Sequence, residues 1–101
     1  MKYELRFADS ACDQLRTLHH WLAGVVDRGS ADALVVALID RCETLRDTPR
    51  LRTPRDDVRP GLRTIAFRRR YTIGYRVDGN VVTILGFVGR GQRLNILSRS
   101  R

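Results

Sequence analysis

Apolar and polar residues alternate from Lys2 to Ala8, with Tyr3, Leu5 and Phe7 set against Lys2, Glu4 and Arg6. That period predicts a half-buried strand. The period then changes. Ala11, Leu15, Leu18, Leu22 and Val25 recur at steps of four and three, which is one face of a helix, and Trp21 widens it. Asp9 or Ser10 is placed to cap this helix, and Asp13 suits its first turn. The stretch Asp27-Arg28-Gly29-Ser30 reads as a break, with Ser30 as cap of a second helix. Leu34, Leu38, Cys42 and Leu45 form the stripe of that helix, broadened by Val35 and Ile39. Two amphipathic helices joined by so short a loop predict an antiparallel helix hairpin.

All three prolines, Pro49, Pro54 and Pro60, fall between Thr48 and Gly61, where no apolar period survives, so this segment reads as a loop or extended arm. Beyond it the pattern is that of strands. Leu62 to Phe67 is one; Tyr71, Ile73, Tyr75 and Val77 alternating with Thr72, Gly74 and Arg76 are a second. Asp78-Gly79 is a two-residue hairpin signal. Val81 to Val88 is nearly continuously apolar and β-branched, as expected of a central strand buried on both faces. The sum is an α+β fold of order β-α-α-β-β-β, with the helix hairpin packed on one face of a small antiparallel sheet and the first strand added to the meander.

A length of 101 residues predicts one domain spanning 1–101 and leaves no room for a β/α barrel or a paired dinucleotide-binding fold. At 43% hydrophobic and 30% charged residues the composition is that of a globular chain. The charge changes the picture. Nineteen basic residues against 11 acidic give +8, and Lys2 is the only lysine. Met1 to Pro49 holds 6 basic and 8 acidic residues, whereas Arg50 to Arg101 holds 13 and 3. A GC-rich genome would enrich arginine everywhere, but it does not explain this asymmetry. A negatively charged partner does.

Little else in the sequence carries chemistry. Cys12 and Cys42, 30 positions apart on helices, read as small apolar residues. His19 and His20 are adjacent, so on a helix they diverge by about 100° and do not chelate one metal. No metal, cofactor or carboxylate pair is expected. The start Met1-Lys2-Tyr3-Glu4 lacks the apolar core of a signal peptide, and the longest apolar run, Ala33 to Ile39, is far short of a membrane span. A cytosolic, reduced location is the expectation, with no membrane partner. What remains is arginine on strands: Arg63, Arg68, Arg69, Arg70 and Arg76 along the meander, with Arg90 and Arg93 after it. If the helices cover one face of the sheet, the other is expected to gather several of these side chains and so to hold an acidic segment or an RNA backbone. Tyr71 and Tyr75 share parity with Ile73 and Val77 and read as core.

The ordered set Tyr3-Glu4-Leu5-Arg6-Phe7, the helix hairpin, Pro60-Gly61-Leu62-Arg63, Arg70-Tyr71-Thr72-Ile73-Gly74-Tyr75-Arg76-Val77, the Asp78-Gly79 turn and Val82-Thr83-Ile84-Leu85 resembles the ParE/RelE superfamily of toxins from bacterial type II toxin–antitoxin modules, over nearly the whole chain. The resemblance implies a small basic toxin neutralised by a cognate antitoxin, ParD-like or another small acidic protein. RelE-like members cut messenger RNA on the ribosome without a metal. In that reading Arg63, Arg90 and Arg93 hold the phosphate. ParE-like members inhibit DNA gyrase, are not enzymes, and serve in plasmid stabilisation. The tyrosine of the RelE pattern falls near Leu97, the terminal His-Tyr pair of some related ribonucleases is missing, and the loop lysines have only Arg50, Arg52 and Arg55 as counterparts. Arginine is a poor general base. Val88-Gly89-Arg90-Gly91-Gln92 resembles the end of many ParE chains. The ParE-like reading is therefore preferred, with Gly89, Arg90, Gly91 and Arg93 as target contacts and Arg63, Arg68, Arg70 and Arg76 as contacts to the antitoxin.

Overall fold

The computed structural model describes residues 2–89. It has strand β1 (Glu4–Phe7), helices α1 (Asp9–Val25) and α2 (Arg28–Glu43), two short 3₁₀ turns (Thr44–Arg46 and Pro49–Leu51), and strands β2 (Arg63–Phe67), β3 (Tyr71–Asp78) and β4 (Val81–Gly89). The strands lie in the order β1-β4-β3-β2. β2, β3 and β4 form the expected antiparallel meander. β1 joins β4 in parallel, Glu4 opposite Val81 and Phe7 opposite Ile84, so the sheet is mixed. A parallel neighbour needs a long crossover, which the helix hairpin and the meander supply.

Helix starts differ from expectation by a residue or more. The cap of α1 is Ala8, with no side-chain bond. Its N–H donates to the Ile84 carbonyl (2.9 Å), which keeps it in the sheet and leaves Asp9 in the first turn. Asp27, not Ser30, caps α2, its carboxylate accepting from the Ser30 N–H at 2.6 Å and from the Ser30 hydroxyl at 3.1 Å. An aspartate held at extended φ and ψ before the first turn is well suited to that bond. The β3–β4 turn is Gly79-Asn80, since Asp78 still pairs with Val81; positive φ falls on Gly79 (58°).

The core lies between the helices and one sheet face. Ala11, Leu38, Cys42 and Leu45 meet Ile65, Phe67, Ile73, Tyr75, Val82, Ile84 and Phe87, all buried. β4 is central and buried on both faces, as expected, but not by simple alternation. Gly74 opposes Gly86 while Tyr75 opposes Ile84, which leaves Leu85 unmatched in a β-bulge. Leu85 and Val88 then pack with Leu62 and Val58 in a smaller cluster. The proline-rich segment is thus no detached arm: it turns back through Arg55 N–H to Leu62 carbonyl and Gly61 N–H to the Asp56 carboxylate (2.8 Å), bringing Val58 and Leu62 to Leu85 and Val88. Where β1 stops, α1 supplies the missing partners of β4. Ser10 Oγ donates to the Leu85 carbonyl (3.1 Å), and Gln14 Oε1 accepts from the Phe87 N–H (2.7 Å).

Candidate functional site: strand arginines and the groove beside α1

Strand parity decides where the arginines go. Arg63 shares its face with Ile65 and Phe67, the helix side of the sheet, and pairs across with Tyr75. Arg76 has the parity of Thr72 and Gly74 and points to the opposite face. The single basic face expected from the sequence is therefore not formed. Arg76 is neutralised by Asp78 at 2.7 Å. Arg63 donates through Nη1 to the carbonyls of Arg50 and Arg52, fastening the Pro49–Leu51 turn over the strand. The same turn is held from beneath, where the Tyr75 hydroxyl donates to the Pro49 carbonyl at 2.7 Å, and from the side, where Arg50 Nη2 donates to the Gly79 carbonyl at 3.1 Å.

The chemistry of this corner follows. Burial pushes the Tyr75 phenol above its ordinary value, against the opposing pull of the Arg63 and Arg52 charges. It stays protonated at neutral pH and spends that proton on Pro49. Arg55, one counterpart of the RelE-type loop lysines, is closed into a two-point ion pair with Asp57 (3.1 and 3.0 Å). That hydrogen bonding raises the Arg55 pKa and lowers that of Asp57. His19 lies on α1, bonded to Asp32 of α2 at 2.6 Å. Among the described residues no cluster of three or more His, Cys, Asp or Glu is grouped to hold a metal ion.

Arg68, Arg69 and Arg70 form the exposed tip of the β2–β3 hairpin. Next to it, Tyr71 opens a groove of about 660 Å³ whose other walls include Leu18 and Trp21 of α1 and Phe87 and Gly89 of β4. Trp21, expected to widen the buried helix face, is instead 59% exposed. Among the described residues, this groove lies at the end of the sheet where β3 begins. This groove was missed in the sequence. The one available signal was a tryptophan set beside the α1 stripe. Gly89 ends β4 opposite Tyr71. Arg90, Gly91 and Arg93, expected as target contacts, lie outside the described residues.

The family model for the ParE toxin of type II toxin–antitoxin systems, parDE, matches residues 5–94. The chain belongs to the ParE toxin family. Solved structures agree on the fold. The chromosomal ParDE system from P. aeruginosa is similar at a TM-score of 0.76 and 20% identity, over 85% of this chain and 94% of that one. The RelBE2 toxin–antitoxin complex from Mycobacterium tuberculosis follows at 0.63 and 24%, over 89% and 100%. A mutant of the E. coli toxin RelE in the free state stands at 0.53 and 22%, over 86% and 82%. Among curated proteins none matches the sequence. As a ParE-family toxin, the chain has its strand arginines largely committed to carbonyls and carboxylates of its own.

Proposed function

We propose that this ParE-family toxin acts by binding DNA gyrase rather than by cleaving RNA, and that a cognate acidic antitoxin neutralises it in the cytoplasm. The observation that carries the reading is the state of Arg63. In the ribonuclease alternative this side chain would hold a phosphate, yet its guanidinium is engaged by the Arg50 and Arg52 carbonyls. The nearest phenol, Tyr75, is buried with its proton given to Pro49 and its pKa raised, which suits neither a general base nor a proton shuttle. The ParDE and RelBE2 relatives, a toxin–antitoxin system and a complex, support the antitoxin as partner. The exposed apolar side chains Trp21, Val25, Val26 and Val36 on the helix hairpin give such a partner surface to bury.

Controlled expression in bacteria tests the reading. Growth arrest with DNA breaks and filamentation, and loss of supercoiling by purified gyrase on adding the purified chain, is the expected result. Translation arrest first, with cleavage of ribosome-bound messenger RNA in vitro, would move the toxin to the RelE-like class.

A further inference from the structure

A second, smaller cavity of about 170 Å³ lies where α2 and the two 3₁₀ turns meet β2, an edge strand of the described sheet. Arg41 of α2, Thr44 of the first turn, and Thr48, Leu51 and Arg52 around the second turn form its rim. Leu45 and Ile65, both buried, give it an apolar lining. Arg41 is held in place from one side, since its Nε donates to the Ala66 carbonyl of β2 at 3.2 Å. Among the described residues that is its one side-chain bond, so both Nη groups are left for a ligand.

The charge of this cavity is one-sided. Two guanidiniums line it and no carboxylate does. Arg6, Arg16, Arg46, Arg55 and Arg76 each face a carboxylate, but among the described residues the Arg52 side chain has neither an ion pair nor a hydrogen bond. Glu43, close by in the chain, is taken by Arg46 at 3.3 Å. Two like charges on the wall of so small a space repel one another unless an anion lies with them. The hydroxyls sort themselves too. Thr44 Oγ1 gives its proton to the Arg41 carbonyl at 2.6 Å, whereas Thr48 Oγ1 has no such bond among the described residues and is free to donate.

We propose that this cavity binds a small tetrahedral oxyanion, inorganic phosphate, between the Nη groups of Arg41, the guanidinium of Arg52 and the Thr48 hydroxyl. Charge-assisted bonds from two forks and a hydroxyl offer more donors than the two oxygens of a carboxylate need, and suit an ion that accepts on all sides. The volume is below the roughly 300–1,000 Å³ of pockets that enclose a drug-sized molecule, so a free ion fits where a nucleotide does not. Arg63, which the RelE-like reading would put on a phosphate, is not among the walls, so this site is separate from that role. A bound ion would join α2 to the second 3₁₀ turn, and through Arg41 to β2, at a seam that is otherwise fastened from the Tyr75 and Arg63 side.

Thermal melts and titration calorimetry with inorganic phosphate test the site, against sodium chloride at matched ionic strength because any salt screens a chain of net charge +8. Phosphate is expected to raise the melting temperature saturably, by about 4 °C or more, and matched chloride is expected not to. Arg52→Gln should weaken phosphate affinity by about tenfold or more. Its melting temperature in chloride should stay within about 3 °C of the parent, since the side chain it removes holds nothing else. Arg41→Gln should weaken affinity as well, but it also loses the Ala66 bond, so Arg52→Gln decides if that variant fails to fold. Arg16→Gln, which removes the same charge from an exposed position on α1, should leave phosphate affinity unchanged. An equal rise in matched chloride would overturn the proposal, as would unchanged affinity in Arg52→Gln or equal weakening by Arg16→Gln. Tighter binding of acetate than of phosphate would overturn it in favour of a carboxylate ligand. A single-stranded oligonucleotide whose binding is weakened by Arg52→Gln, with free phosphate leaving the melt unmoved, would overturn it in favour of a nucleic-acid backbone.

Discussion

Two buried side chains of this core hold their protons more tightly than they would in water. Burial pushes the Cys42 thiol from 9.0 up to about 12, with Glu43 adding to the rise and Arg41 opposing it, and burial likewise raises Tyr75. In the unfolded chain each deprotonates at its ordinary value. Above that pH the unfolded state binds fewer protons than the folded one, so stability falls with rising pH. The Cys42 contribution is fully present below pH 9 and is lost toward about 12, at up to about 1.4 kcal/mol per pH unit. Urea unfolding followed across that range is expected to show the decline, and Cys42→Ala should flatten part of it. Tyr75→Phe should flatten another part and, at neutral pH, remove about 1–3 kcal/mol by leaving the Pro49 carbonyl without its 2.7 Å donor. Both residues were legible as core from their stripe or parity. That Tyr75 hydroxyl clamps a turn 26 residues earlier was not, because nothing in a strand's period says which loop will lie over its end.

The elements themselves were readable from period alone, since 3.6-residue and two-residue repeats are imposed by the faces that must be buried. Their boundaries were not, because they are set by bonds to distant elements. Ala8 caps α1 since its N–H is tied to Ile84, and no local capping preference encodes that. The bulge at Leu85 left only a nearly continuous apolar run in β4, the same run that a regular strand buried on both faces would show. Two substitutions weigh these joints. Asp27→Ala removes both bonds to Ser30 and should lower stability by ~1 kcal/mol in a denaturant melt. Gln14→Leu keeps the side chain's bulk while leaving the Phe87 N–H unpaired, and should cost about 1–3 kcal/mol. Hydrogen exchange at Phe87 should accelerate in the same variant, which separates loss of this bond from general destabilisation.

Over the whole molecule, the arginine excess in the second half was legible and its disposition was not. A charge count has no parity, so it could not tell that Arg63 and Arg76 sit on opposite faces, or that several guanidiniums are consumed as internal fasteners. Among the described residues, Arg68, Arg69 and Arg70 stand side by side at an exposed hairpin tip with no ion pair, and this predicts how an acidic amphipathic partner associates. Raising salt is expected to slow association steeply and leave dissociation nearly unchanged in stopped-flow measurements, since charge steers the encounter and apolar burial holds the complex. A complex that falls apart at moderately raised salt would count against that division.

The parallel pairing of β1 with β4 also sets an order of events during synthesis. Glu4–Phe7 is made early, yet its partner Val81–Ile84 is the last strand of the described chain to appear. At ribosomal speeds of about 5–20 residues per second, the gap is roughly 4–15 s. The helix hairpin forms from local contacts in that interval, but the apolar face it turns toward the sheet has no central strand to close on. Folding is thereby held back until Val81–Ile84 has been made, and contacts this distant in sequence are slow to form even then. A nascent chain stopped before Val81 owns a helix hairpin and a β-hairpin with nothing to join them, so a partner that recognises the finished sheet has nothing to bind until β4 has emerged.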